Sequence, residues 1–310
     1  MSTIICLGEV LFDLLANENG VSSENVKSWT PLPGGAPANV ACAVVKMGDR
    51  SRFIGCVGKD EAGTKLAEKL TNEGVDIAGI QYHPTAPTRQ VQVTRSIDGD
   101  RSFGGFGNIS TDKFADTQLS QVPVELFIDA DFLLLGTISL AYPISAASTW
   151  KAVELATEHE VNIMVDINWR PTFWTSVEIA IPKIQQLLAK ADYVKFAREE
   201  AELIYGERLP QALCKYLPKA LGIFVTDGSN ICEYWLNGET GQQPAFTVDT
   251  IDTTGAGDAF VAGLLHQLGT GQSGAEIVRY ASAAGALTTQ QAGAIDAQPT
   301  DTEIRQFLQM

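Results

Sequence analysis

The chain is 310 residues long, 45% apolar and 19% charged, enough to bury a large core and too apolar and varied to stay disordered. Its 22 basic side chains against 37 acidic ones leave a net charge of −15, which repels phosphate backbones and anionic membranes at long range, so neither nucleic acid nor a membrane is an expected partner. A bound nucleotide remains compatible, because backbone N–H groups, a metal ion and one or two cations in a local pocket outweigh that field at close range.

No apolar run approaches the ~20 residues of a bilayer span, and the first nine residues lack the basic flank and cleavage site of a signal peptide. The expected location is the cytoplasm. Cys6, Cys42, Cys56, Cys214 and Cys232 form no C-x-x-C pair, and His83, His159 and His266 show no ligand spacing. Reduced, largely buried thiols and no zinc site are expected.

In chain order, short β-branched runs at 4–7, 52–57, 132–135, 162–166, 193–196 and 222–226 predict buried parallel strands. Amphipathic stretches at 38–47, 62–72, 145–158 and 179–190 predict helices between them, so a parallel sheet with helices on both faces is expected. One region breaks this alternation: 89–96, a turn at Asp98-Gly99-Asp100, and 101–106 read as a β-hairpin. With 11–16 and 28–32 it predicts a small β lid, built from about 11–32 and 89–106, on a single domain spanning 1–310. A strand-like 246–248 follows, then helices at 256–268, 274–290 and 302–308.

The most informative segment is Asp252-Thr253-Thr254-Gly255-Ala256-Gly257-Asp258, where a turn becomes a helix. Unpaired N–H groups and the helix dipole at such a point hold a phosphoryl group while its charge redistributes, and small residues allow close approach. Asp258, in the first helical turn, is placed to take a proton from an attacking hydroxyl. The same residues also read as a turn whose acid stabilises the helix N-terminus.

This segment resembles the C-terminal D-T-x-G-A-G-D signature of the PfkB-type carbohydrate kinases of the ribokinase superfamily. The N-terminal signature of that family resembles Gly34-Gly35-Ala36-Pro37-Ala38-Asn39 through Val57-Gly58, some 220 residues earlier. The resemblance covers the whole chain and implies a ribokinase-like three-layer α/β sandwich, with a mostly parallel central sheet and the small β lid. It implies ATP and Mg2+, with Asp258 as general base and the amides of Gly255, Ala256 and Gly257 as the anion hole.

The resemblance further implies that Asp13, Gly34, Gly35, Asn39 and Arg170 serve the sugar. Read without it, Asp13 is a solvated loop acid, Gly34 and Gly35 are turn glycines, and Asn39 is a helix-start amide. Asp166-Ile167-Asn168-Trp169-Arg170-Pro171-Thr172-Phe173-Trp174 resembles a D-x-N-x-R-P-x-x-W segment typical of fructokinases and 2-keto-3-deoxygluconate kinases. Arg170 there offers paired donors to an anion or anchors the loop by a salt bridge, and Trp169 and Trp174 read as packing residues.

Lys195, Thr226, Gly228 and Ser282 are expected on the nucleotide, with Lys195 supplying charge to a phosphate or solvating a strand end. The T-x-G-x-x-G turn is altered at Asp227 and Ile231. Glu200 is expected to reach magnesium through water, although Ala197 replaces the amide or hydroxyl usual in that motif. Asp252, Thr254 and Gly293 resemble a monovalent-cation site, so potassium is expected from resemblance alone.

Fructokinase, converting D-fructose to fructose 6-phosphate, is the leading expectation. The alternatives are 2-keto-3-deoxygluconate kinase or another sugar kinase of the family, with Arg89, Arg95 and Arg101 as candidates for a sugar carboxylate, and a kinase-like scaffold without turnover. A homodimer paired through the lid is expected from the exposed hairpin edge.

Overall fold

The computed structural model describes residues 1–97 and 101–309, so the expected turn at Asp98-Gly99-Asp100 lies outside the described residues. The chain opens with β1 (Thr3–Leu7), β2 (Leu11–Asn19), β3 (Trp29–Gly34), α1 (Ala36–Lys46), β4 (Arg50–Gly58), α2 (Glu61–Asn72) and β5 (Asp76–His83). Then come β6 (Gln90–Arg95), β7 (Arg101–Gly105), β8 (Phe132–Leu135), α3 (Pro143–Glu158), β9 (Asn162–Asp166), α4 (Val177–Leu188), β10 (Tyr193–Ala197), α5 (Arg198–Tyr205) and α6 (Pro210–Leu213). The last elements are β11 (Gly222–Thr226), β12 (Ile231–Leu236), β13 (Glu239–Pro244), α7 (Ala256–Leu268), α8 (Gly274–Thr288) and α9 (Asp301–Gln309).

Nine strands form one sheet in the order β13-β12-β11-β10-β9-β8-β1-β4-β5. The seven from β11 to β5 run parallel, and β12 and β13 close one edge antiparallel. Every side chain of β1 is buried, as a strand with helices on both faces requires. Its period-two alternation sends Ile4 and Cys6 into one core and Ile5 and Leu7 into the other. The first core is completed by α1, α2, α7, α8 and α9, and the second by α3, α4, α5 and α6. The result is the three-layer sandwich.

A second sheet has the order β3-β2-β6-β7. Here β2 pairs antiparallel with β3 and parallel with β6, and β6 pairs antiparallel with β7. This is the expected lid, its strands falling inside 11–34 and 90–105.

The expected strand at 246–248 is absent, and that segment is irregular. The sheet edge is instead occupied by β12 and β13, which end at Pro244 opposite Ile231. Proline has no N–H to continue a ladder, and the chain turns away there. Four of the cysteines are buried, Cys214 is partly so, and all five are free thiols. Among the described residues no helix is long and apolar enough to cross a membrane.

Candidate active site

Parallel strands bring their carboxyl ends to one edge of the sheet, and a crevice opens where successive connections leave in opposite directions. In this sheet that point lies between β1 and β8. Around it β1 is followed by Glu9, β9 ends in Asp166, and β10 carries Lys195. The lid contributes Asp13 from β2 and Val91 from β6, while α1 contributes Asn39 and the start of α7 contributes Asp258.

The start of α7 has the geometry that an anion hole requires. Gly255 caps the helix in the left-handed region at φ 81°, and a Cβ there would lie 3.1 Å from the Ala294 Cα. The Ala259 N–H is the first to reach a helical acceptor, the Gly255 carbonyl at 2.9 Å. Among the described residues the N–H groups of Gly257 and Asp258 have no acceptor. The expected Ala256 amide is spent differently, in a turn bond to the Thr253 carbonyl at 3.3 Å, because the chain tightens one residue before the helix.

Asp252 braces this loop. One carboxylate oxygen accepts from the Thr254 N–H at 3.1 Å and its hydroxyl at 2.7 Å, and the other accepts from the Gly293 N–H at 3.0 Å. The structure therefore brings the three expected cation-site residues together.

Asp258 accepts a 2.7 Å hydrogen bond from Asn39 Nδ2. Burial pushes its carboxyl up to about 6, the Asn39 bond opposes that rise, and Asp166 adds to it. Asn39 Nδ2 thus orients the candidate base, while its buried Oδ1 has no hydrogen-bond partner among the described residues. Gly35, four residues earlier, sits at φ 107°, and a Cβ on it would come within 2.5 Å of the Glu9 carbonyl. Gly34 packs less tightly, against Asp13, whose Oδ2 would be 3.2 Å from an added Cβ.

Lys195 is buried and pairs with Asp166 at 3.1 Å, which replaces the expectation of a solvated strand end. Burial acts to discharge it, yet Asp166, Glu200 and Asp258 outweigh that effect and hold its pKa above the ordinary value. Its Nζ would lie 3.6 Å from a Cβ on Gly257, so this charge stands beside the candidate anion hole. Glu200 is also buried, and its two oxygens accept the backbone N–H groups of Trp169 at 2.7 Å and Ala197 at 2.6 Å. Despite losing the usual amide or hydroxyl at 197, the motif keeps its acid as a brace between the β9 and β10 loops.

Two cavities meet at this helix start. One, of about 530 Å³, is lined by Glu9, Asp13, Asn39, Asp166, Arg170, Lys195 and Asp258 among others. The other, of about 440 Å³, is lined by Thr226, Gly228, Ser229, Phe246, Ser282 and Gly285 among others. Thr253 and Gly257 line both. Lys195, expected with the nucleotide residues, opens on the first cavity instead, because alternation along β10 points it toward Asp166. The altered residue at 227 has a partner: Asp227, between the cavity-lining Thr226 and Gly228, pairs with Arg198 at 2.8 Å.

Arg170 is exposed and donates to the Trp169 carbonyl at 3.1 Å; among the described residues it forms no ion pair, so the loop-anchoring salt bridge is not found. Trp169 and Trp174 stack at 6.1 Å, as packing residues do. Arg89 is not among the residues lining the first cavity. It is fully buried, binds Asp116 through two nitrogens at 2.8 and 3.0 Å, and lies over the rings of Phe106, Phe114 and Phe173. Nothing is described of the Arg101 side chain.

Glu9, Asp166 and Asn168 also line the first cavity, although the sequence assigned them no role there. The signal was available for the first two, since each stands at or just past the carboxyl end of a predicted strand.

A comparison with family models matches residues 1–301 to the pfkB family carbohydrate kinases. Among curated relatives, the protein named "Probable fructokinase-2" from Arabidopsis thaliana is 37% identical, over 99% of this chain and 96% of its own length. Among solved structures, fructokinase with bound ATP from Xylella fastidiosa superposes with a TM-score of 0.87 at 28% identity, over 99% of this chain and 98% of the other. A fructokinase double mutant from Vibrio cholerae, in a form with fructose, ADP and potassium ion bound, gives a TM-score of 0.84 at 28% identity, over 99% and 98%. With the fold, both signatures and the family match in agreement over nearly the whole chain, the protein belongs to the pfkB family of carbohydrate kinases.

Proposed function

We propose that the protein is an ATP-dependent fructokinase that transfers the γ-phosphoryl group to the primary hydroxyl of D-fructose at carbon 6. The observation that carries this reading is the meeting of two cavities at Thr253 and Gly257, with Asp258 opening on only one of them. ATP occupies the cavity of Thr226, Gly228 and Ser282, and the sugar occupies the cavity of Asp13, Asn39 and Arg170. The γ-phosphate then lies at the shared rim, where the Gly257 and Asp258 amides and Lys195 take up its charge. Asp258, steadied by Asn39, takes the proton from the sugar hydroxyl as the oxygen attacks. Closure of the four-stranded lid sheet excludes water that would compete as acceptor.

Among the described residues no group of three or more His, Cys, Asp or Glu forms a metal cage. That fits magnesium, which is usually carried on substrate phosphates with one or two carboxylates. Glu200 and Asp166 are the acids that would hold it through water, each retaining lone pairs beyond its present bonds. Bound there, the ion neutralises phosphate charge. A monovalent ion beside Asp252, Thr254 and Gly293 would act on the same loop.

The similarity to fructokinases supports fructose over other sugars. The 2-keto-3-deoxygluconate reading needs a cation facing the substrate carboxylate, and Arg89 is withdrawn from that role by Asp116. Pairing of two lids into a homodimer remains part of the proposal and is tested by sedimentation. The deciding assay is ADP release with magnesium and potassium across fructose, 2-keto-3-deoxygluconate, ribose, glucose and nucleosides. Fructose-dependent release is expected; another preferred sugar would overturn the specificity, and no release with any would favour a scaffold.

A further inference from the structure

Four of the acids on the sugar cavity are already engaged by protein groups. Asp258 is held by Asn39, Asp166 by Lys195, and Glu200 by two backbone N–H groups, while Asp13 has interactions of its own. Glu9 differs from them. It is 7% exposed and lines the cavity. Among the described residues no other residue's side chain or backbone N–H hydrogen-bonds to its carboxyl; its own N–H is the nearby donor.

A buried carboxyl with only its own N–H and the nearby Arg89 charge to offset burial is costly, and a ligand that bonds it relieves that cost. The seat is also rigid. The Gly8 N–H is tied to the Ile54 carbonyl at 3.0 Å, and Gly35 lies so close over the Glu9 carbonyl that a Cβ would be 2.5 Å away. Such packing holds a binding group at a fixed position without spending ligand affinity on ordering it.

We propose that Glu9 is a sugar-binding and specificity-determining residue, its carboxyl bonding a hydroxyl of the substrate on the β1 wall of the cavity. This rests on the sugar-kinase reading above. Asp13, four residues on and on the same cavity, gives a second acid, so the pair selects a polyhydroxylated ligand over one presenting a carboxylate. Burial pushes Glu9 up to about 7, so near neutrality it is able to donate as well as accept.

The test compares Glu9→Leu and Glu9→Gln with the wild type, using whichever panel sugar the wild type phosphorylates best. That choice separates the two ideas, since the sugar preferred by the wild type tests the function and the variants test Glu9. Leucine keeps volume and relieves the burial of a polar group, so the variant should fold, which thermal unfolding checks. For it the KM of the sugar is expected to rise about tenfold to a hundredfold, as for one lost bond to a buried acid, with the KM of ATP within twofold. The glutamine variant, retaining a donor and an acceptor, is expected to recover most of that loss. A sugar KM within twofold of wild type in the leucine variant would overturn the proposal. So would an equal rise in both KM values, or a glutamine variant as impaired as leucine, because each marks Glu9 as structural.

Discussion

Replacing Asp258 by asparagine removes the proposed base and keeps its shape. Asn39 Nδ2, which donates to the carboxylate at 2.7 Å, meets an amide oxygen in the same place, and the Gly257 and Asp258 backbone amides are untouched. Loss of general-base catalysis is expected to lower kcat about 100- to 10,000-fold, with both KM values changed less than about threefold. Stability moves the other way. The folded pKa of about 6 lies above the ~3.9 of an unfolded aspartate, so the fold binds this proton more tightly than the unfolded chain does. The group's contribution is therefore fully present below pH ~4, is lost as pH rises through about 6, and stays lost above it. The two-unit difference amounts to roughly 3 kcal/mol at most, reduced by water entering the open cavity. The asparagine variant should thus unfold at an equal or higher temperature than wild type at pH 8, with the gap narrowing toward pH 5. Wild-type kcat/KM should fall about tenfold per unit below pH ~6 as the base takes up its proton. Coupled ADP-release kinetics and differential scanning calorimetry measure both. A variant within tenfold of wild-type kcat, or a wild-type profile flat from pH 8 to 5, would refute the assignment of the base.

Lys195→Met leaves Asp166 buried without its partner and is expected to cost about 3–5 kcal/mol, read by urea unfolding. Because Lys195 lowers the pKa of Asp258, the acidic limb of any residual activity should move to higher pH. Gly35→Ala forces a side chain into a left-handed backbone and against the Glu9 carbonyl; about 1–3 kcal/mol of destabilisation is expected, with a raised sugar KM. Asp252→Ala releases the Thr254 and Gly293 amides that brace the anion hole, and titration of activity with potassium chloride should lose any stimulation the wild type shows, with kcat down at least about tenfold.

The central strands could be read without a structure because burial on both faces makes them apolar runs, as in residues 132–135 and the 163–165 centre of 162–166, whose predicted bounds match β8 and β9. The edge was harder to read. β13 (Glu239–Pro244) is largely polar because one side of it meets solvent, and Phe246 and Val248 in the run that attracted the strand prediction line the second cavity instead. Apolar content marks burial, and does not distinguish a strand from a cavity wall.

The anion hole and the candidate base lie within seven consecutive residues, 252–258, so local chain geometry alone fixes their relation and the sequence determined them. Pairings between distant segments are of another kind. Asn39 reaches Asp258 across 219 positions, Lys195 meets Asp166 between neighbouring strands, and Arg89 leaves the sugar for Asp116 and three phenylalanine rings. Each such choice depends on which side chains the folded sheet places within a few ångströms of one another. Residue types and spacing do not encode that distance, so only the tertiary structure decided which acids are occupied and that Glu9 is left facing the cavity.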